Sequence, residues 1–232
     1  MKRILLKLSG EALANGGNSI YDNSFVDKVA ASLKACKDEG YEIAVVVGAG
    51  NIWRGRQGTD MDRTDADRMG MLATVINAIC LKDALIRAGV GSTVMTAVPM
   101  APLAENYTAE AAVKKLQAGE IVVFGAGLGI PFLSTDTAGA VRASEINADA
   151  MFMAKNVDYI YTDDPRKNPD AKKLERVKAS EVLAMNLKAI DATATAFCLS
   201  NGMPIHVFGL REPDDILRAV KGEAVGTVIT AE

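Results

Sequence analysis

The segment Arg3-Ile4-Leu5-Leu6-Lys7-Leu8-Ser9-Gly10 decides how this chain is read. Residues 4–8 have the length and aliphatic character of a strand. With so little polar alternation, the strand reads as buried on both faces, the habit of a parallel sheet covered by helices. Lys7 is the exception. Strand alternation places it on the face opposite Leu6 and Leu8. A buried ammonium is costly unless paired, so Lys7 requires an anion: a carboxylate of the chain or the phosphate of a ligand. Ser9-Gly10 then closes the strand in a glycine turn.

Working outward, 43–47 repeats the pattern as a second buried strand. Between the two, a helix capped by Ser24 runs to about Glu39, and Gly40 stops it. Thr64 opens a long helix ending near Gly89, with Leu72, Val75, Ile76, Ile79 and Leu85 as one apolar stripe. Strands over 93–96, 121–124, 151–154, 159–161, 205–208 and 225–229 then alternate with helices over 108–117, 137–147, 191–200 and 214–220. This rhythm predicts an α/β fold of one domain over 1–232, a mostly parallel sheet with helices on both faces. Functional loops belong at the carboxyl ends of its strands. The stretch 162–173, with Asp163-Asp164-Pro165 and Asn168-Pro169-Asp170, reads as an ordered turn series or a mobile lid.

Composition narrows the function. In 232 residues, 26 Lys and Arg stand against 29 Asp and Glu, a net charge of −3. Neither a nucleic-acid coat nor a polybasic membrane binder has such a balance. Only 5% of residues are aromatic, so the core is aliphatic. The single histidine, His206, excludes His-rich zinc sites and argues against imidazole-based catalysis; it reads as structural. Cys36, Cys80 and Cys198, odd in number and set in apolar segments, read as reduced buried thiols. No uninterrupted apolar run reaches the roughly 18 residues of a membrane span. The basic start is too short and too broken by Lys7 for a signal peptide. The expectation is a soluble cytoplasmic protein.

Three glycine turns each follow a predicted strand: Ser9-Gly10, Gly48-Ala49-Gly50-Asn51 and Gly125-Ala126-Gly127-Leu128-Gly129. Such turns let backbone N–H groups face a phosphate-rich ligand. No Walker-type G-x-x-x-x-G-K-[ST] is present. Pro131 breaks any dinucleotide fingerprint in the third turn, which argues against a nicotinamide-dependent oxidoreductase. Arg54 follows the second turn, and its fork suits phosphate oxygens. Asp67 is either an ordinary first-turn acid or an acceptor for ribose hydroxyls. Thr135-Asp136 reads equally well as a helix cap.

Taken in order, the motifs resemble one known group. They are Lys7-Leu8-Ser9-Gly10-Glu11-Ala12-Leu13, Gly48-Ala49-Gly50-Asn51-Ile52-Trp53-Arg54-Gly55, Asp67-Arg68-Met69-Gly70-Met71-Leu72-Ala73-Thr74, Pro131-Phe132-Leu133-Ser134-Thr135-Asp136-Thr137-Ala138, Val157-Asp158-Tyr159-Ile160-Tyr161-Thr162-Asp163-Asp164-Pro165 and Pro204-Ile205-His206-Val207-Phe208. The set is similar to the bacterial uridylate kinase family of the amino-acid kinase superfamily and spans essentially the whole chain. The resemblance implies a three-layer α/β/α sandwich that makes ADP and UDP from ATP and UMP, with Mg²⁺ accompanying ATP. It implies a homohexamer acting in pyrimidine nucleotide biosynthesis.

Carried over by position, the resemblance implies that Lys7, Leu8, Ser9, Gly10, Gly50 and Arg54 face the ATP phosphates. Lys155, Tyr161 and Asp164 would frame the adenine side. Ala49, Asp67, Leu128, Gly129, Ile130, Pro131, Phe132, Leu133, Ser134 and Thr135 would cradle UMP, with Asp67 at the ribose. Lys7, Arg54, Asp136 and Asp191 would form the reaction centre, either acid orienting Lys7 or the metal. Two departures bear on the acceptor. Ala49 stands where the family usually has glycine, and Leu128 and Ile130 replace the Thr and Asn of its Gly-Thr-Gly-Asn-Pro loop. In GTP-activated members His, Arg or Trp often align with Ile86, Thr93, Ala109 and Glu120. The alternatives are a nucleotide sensor on the same fold and a carboxylate or carbamate kinase of the superfamily.

Overall fold

The computed structural model describes residues 2–17, 19–53, 60–165, 167–187 and 189–231. Its first half runs β1 (Arg3–Leu8), α1 (Gly10–Leu13), α2 (Asn23–Asp38), β2 (Glu42–Val47), α3 (Arg63–Arg87), β3 (Ser92–Thr96), β4 (Glu105–Asn106), α4 (Ala109–Gln117) and β5 (Ile121–Gly125). The second half runs α5 (Thr135–Glu145), β6 (Ala150–Lys155), β7 (Ile160–Tyr161), β8 (Lys173–Leu174), β9 (Arg176–Lys178), α6 (Ala179–Ala184), α7 (Ala192–Ser200), β10 (Ile205–Gly209), α8 (Asp215–Val220) and β11 (Thr227–Thr230).

Among the described residues, nine strands form one sheet in the order β4-β3-β5-β2-β1-β6-β10-β11-β9. The pairings are parallel except for β10 with β11. β1 sits between β2 and β6, so its side chains are covered above and below, as its aliphatic run requires. Alternation then sorts them by face. Ile4, Leu6 and Leu8 join Val29 and Leu33 of α2, Leu81 of α3 and Ile216 of α8 in one core. Leu5 joins Leu116 of α4, Ala140 of α5, Val182 of α6 and Ala194 of α7 in the other. Two cores on opposite faces of one sheet make three layers, helix, sheet and helix.

Several boundaries differ from the sequence expectation. Asp22, not Ser24, caps α2: its carboxylate accepts from Phe25 N–H at 3.1 Å, and Ser24 Oγ donates to the same oxygen at 2.8 Å. Ser134, not Thr135-Asp136, caps α5, accepting from the N–H groups of Asp136 and Thr137 at 3.1 Å. The segment 162–172 is closed at its base by antiparallel β7 and β8, with Tyr161 opposite Lys173. β4, β8 and β9, two or three residues each, are too short to show a period.

The largest difference concerns α3. Its five-residue stripe splits: Val75 and Leu85 are buried, whereas Leu72 (54%), Ile76 (52%) and Ile79 (39%) are exposed. The buried face is built mainly from small residues, Ala66, Ala73, Ala78 and Ala84, with Leu81 and Leu85. Small side chains let the helix approach the sheet closely. A Cβ added at Gly125 of β5 would lie 3.1 Å from Val75 Cγ2. By length and composition alone α3 could cross a bilayer, with a window of mean hydropathy 1.6, although Asn77, Lys82 and Asp83 interrupt its apolar residues. Its contacts with β2, β3, β5 and α2 make it a core helix of this fold.

Cys36 and Cys198 are buried, and burial pushes both thiols up to about 12. Cys80 is only half-buried. His206 is buried between Phe152 and Phe208, and burial holds its pKa below the ordinary value; its Nε2 lies against the Val225 carbonyl oxygen. It is a structural histidine, as the sequence implied.

Candidate active site

A cavity of about 920 Å³ opens where the carboxyl ends of β1, β2, β5 and β6 meet. Lys7 comes from β1, Gly48, Ala49 and Gly50 from the turn after β2, Ala126 to Leu128 from the turn after β5, and Lys155 from the end of β6. Carboxyl ends of adjacent parallel strands are where an α/β sheet leaves a crevice.

Its floor is an ion triad. Asp136, in the first turn of α5, places one carboxylate oxygen 2.9 Å from Lys7 Nζ and the other 2.5 Å from Lys155 Nζ. All three side chains are at most 18% exposed. Burial acts to raise the Asp136 pKa, but the two ammonium charges outweigh it and hold the carboxyl below its usual value. Burial lowers the pKa of Lys155, and the nearby charge of Lys7 adds to this against the attraction of Asp136. The anion that Lys7 required is therefore a carboxylate of the chain itself. Two ammonium groups around one carboxylate leave a net charge of +1 facing the cavity.

Asp191 has a separate place. It caps α7, accepting from Ala194 N–H at 2.8 Å, and it receives hydrogen bonds from Ser134 Oγ and, at 3.2 Å, Thr137 Oγ1. It thus latches the start of α7 to the start of α5. The two acids that the sequence could not separate are distinct: Asp136 bears directly on both lysines, while Asp191 holds the helix start from which Asp136 projects.

On the other side, α3 carries the loop 126–133. Thr74 Oγ1 accepts from Ala126 N–H at 2.8 Å, and Asp67 Oδ2 accepts from Phe132 N–H at 2.8 Å. Arg63 pairs with the same Asp67 oxygen at 2.9 Å and lies over the Phe132 ring, 5.5 Å from its centroid. Ala126, Gly127, Gly129 and Phe132 all have positive φ, from 55° to 72°. Two of these are not glycine, so the α3 anchors hold a strained backbone. Ile130 (57%) and Phe132 (66%) are left exposed.

The two amino-terminal turns nearly touch. A Cβ on Gly10 would come within 2.8 Å of both Gly48 O and Gly50 N, so only glycine permits this approach. Ser9 Oγ accepts from Ala12 N–H, which places α1 with its N-terminus at the cavity.

Of the residues singled out in the sequence, Lys7, Ser9, Gly10, Ala49, Gly50, Asp67, Leu128, Ile130, Phe132, Leu133, Ser134, Thr135, Asp136, Lys155 and Asp191 line this cavity. Gly129 and Pro131 belong to the same loop without lining it, and Leu8 is fully buried beneath. Tyr161 and Asp164 lie outside the lining, on and beside the β7–β8 hairpin, where Tyr161 Oη donates to Asp158 Oδ1 at 3.0 Å. Arg54 lies outside the described residues. Sequence reasoning missed Arg63 and the bond that Thr74 makes to the loop. The signal was their spacing with Asp67 along one helix, masked by the more conspicuous apolar residues. Among the described residues no cluster of three or more His, Cys, Asp or Glu could cage a metal.

Residues 2–209 match the model of the amino acid kinase family. The chain belongs to that family. Among solved structures, this amino acid kinase is similar to a UMP kinase from Bacillus anthracis (36% identity, TM-score 0.95, covering 100% of this chain and 96% of that one). It is also similar to a UMP kinase from Ureaplasma parvum (34% identity, TM-score 0.93, covering 99% and 98%). A uridylate kinase from Archaeoglobus fulgidus matches less closely, at 27% identity and TM-score 0.76.

Proposed function

We propose that this amino acid kinase transfers the terminal phosphoryl group of ATP to UMP, giving ADP and UDP, and so serves pyrimidine nucleotide synthesis. The observation that carries the reading is the end-to-end likeness to two solved UMP kinases at 36% and 34% identity. In the reaction a non-bridging oxygen of the UMP phosphate attacks the γ-phosphorus of ATP. The bond to the bridging oxygen breaks, and ADP leaves with that electron pair. A phosphate oxygen is nucleophilic at neutral pH without a base, so the work is alignment and charge neutralisation.

Lys7 and Lys155, fixed by Asp136, present ammonium groups at the centre of the cavity. The N–H groups of Gly10 and Gly50, and Arg54, complete the phosphate cradle. ATP enters on the side of Tyr161 and Asp164. UMP lies along the loop 126–133, with Asp67 at its ribose and aliphatic Leu128 and Ile130 near its base. The triad's charge of +1 is too small to offset a triphosphate and a monophosphate together, which fits a divalent cation carried in with ATP. Mg²⁺ held by the ATP phosphates would supply the remaining positive charge, with Asp136 and Asp191 among the carboxylates that line the cavity.

The chain works as one domain in the cytoplasm, assembled as a homohexamer whose subunits pair through α3. The exposed Met69, Leu72, Ile76 and Ile79 on that helix support such a contact. Light scattering checks it, and a monomer at micromolar concentration counts against the assembly. The activity is tested by following ADP release with Mg-ATP and, separately, UMP, CMP, acetylglutamate and carbamate. UMP-dependent turnover is expected. Release that depends on a carboxylate or carbamate, or UMP binding without release, overturns the reading.

A further inference from the structure

Asn77 lies in the middle of α3 with no exposed surface, among Ala73, Ala78 and Leu81. A buried amide is costly unless its hydrogen bonds are made, and every one of them is. Its Nδ2 donates to Gly48 O at 2.7 Å and to Asn51 Oδ1 at 2.7 Å. Its Oδ1 accepts from Tyr21 Oη at 2.8 Å and from Asn51 Nδ2 at 3.1 Å. The second Asn51 N–H donates to Ile20 O at 2.9 Å. Asn77 and Asn51 thus face each other as a reciprocal amide pair, with all donors and both Asn77 lone pairs in use.

The bond to Gly48 O is the one that reaches the cavity. A trans peptide is planar, so fixing the Gly48 carbonyl toward Asn77 turns the Ala49 N–H the opposite way. The amide pair fixes the other end of the turn at Asn51. Gly48, Ala49 and Gly50, which line the cavity, are therefore gripped at both ends from α3. We propose that Asn77 is a positioning residue for phosphoryl transfer: it sets the peptide plane of the Gly48–Ala49 unit and so aims the backbone N–H groups of this turn at the phosphates. The inference rests on the kinase reading above. It adds a role for a residue that touches neither substrate.

The replacement Asn77→Asp keeps the shape and converts the donor that faces Gly48 O into an acceptor. Once protonated, a carboxylic acid can donate there again, and burial raises its pKa toward the neutral range. The experiment measures kcat/KM of the folded variant relative to wild type from pH 6 to 9, with thermal melts at each pH. The ratio is expected to fall roughly 10- to 100-fold at pH 8 and to recover several-fold toward pH 6, mainly in kcat. A merely structural role predicts lost melting temperature with an unchanged pH profile. The double variant N51L/N77L gives a second reading: it removes the amide pair as a unit, with no charge introduced, and takes the side-chain partner from Gly48 O, Tyr21 Oη and Ile20 O. A double variant that stays folded at the assay temperature, with kcat/KM lowered at least tenfold, supports the proposal. Wild-type kcat/KM in the folded aspartate variant across the range, or in the double variant, overturns it. Failure of the kinase reading itself would show as wild-type protein without UMP-dependent ADP release.

Discussion

The floor of the cavity and its rim are built on opposite principles. At the floor, Lys7, Asp136 and Lys155 are nearly sealed from solvent and satisfy one another before any ligand arrives. At the rim, the loop 126–133 is a strained backbone tied to α3 at Ala126 and Phe132, with apolar side chains left in water. The floor is preorganised charge, which lowers a barrier because it need not reorganise during the reaction. The rim is preorganised shape, which sets how well an acceptor binds. Floor substitutions should therefore act on stability and kcat, and rim substitutions on the acceptor KM.

The largest expected effect is at the shared carboxylate. Asp136→Asn leaves two buried ammonium groups uncompensated, a loss of about 3–5 kcal/mol, or roughly 6–20 °C in melting temperature for a chain of this size. The sign with pH follows from the depressed Asp136 pKa. Its stabilisation is present above the unfolded carboxyl range near pH 4 and is lost as pH falls through the folded value. Melting curves of wild type and variant should accordingly converge in acid. A gap that stays constant from pH 7 to pH 3 would contradict the triad's role.

Next is Lys7→Ala, expected to lower kcat by roughly 10²–10³ with a smaller change in KM, by analogy with removing one oxyanion donor. Steady-state kinetics with both substrates varied decide this, and near-wild-type turnover would break the contrast at its floor. Asp67→Ala releases the Phe132 N–H and Arg63 from the rim. It should raise the UMP KM about tenfold, the loss of one charge-assisted bond, with kcat within about threefold. A kcat loss as deep as that of Lys7→Ala would erase the distinction between the two regions. The smallest effect belongs to Phe132→Ala, on an exposed ring. A twofold to fivefold rise in UMP KM is expected, with melting unchanged within the error of calorimetry.

Much of this organisation is visible in the chain before folding is considered. Lysine in an aliphatic strand demanded an anion, and three glycine turns after strands marked the carboxyl edge. Other features resisted for definite reasons. Ser134, Thr135 and Asp136 are equally good caps by chemistry, so local sequence does not choose among them. Asp136 is withdrawn from capping because its oxygens are taken by lysines from β1 and β6. On α3 the large residues spaced three and four apart drew attention to what proved partly an outer face. Close approach to the sheet selected alanines for the inner one. Asn77 was invisible because a single amide inside an apolar helix carries no signal until its partners at 21, 48 and 51 are known.

By itself the sequence determined the alternation of strand and helix, the aliphatic core, the turns, and the need of Lys7 for a negative partner. These are local properties, set by side-chain period and backbone preference within a few residues. Tertiary structure alone decided which of the 29 acids that partner is, which face of α3 is inward, and which amide grips the turn after β2. Lys7 and Asp136 are far apart along the chain, and no local preference encodes such a pair. It forms only because the parallel pairing of β1 with β6 brings two buried ammonium groups together at the start of α5, where a carboxylate between them is far less costly than none.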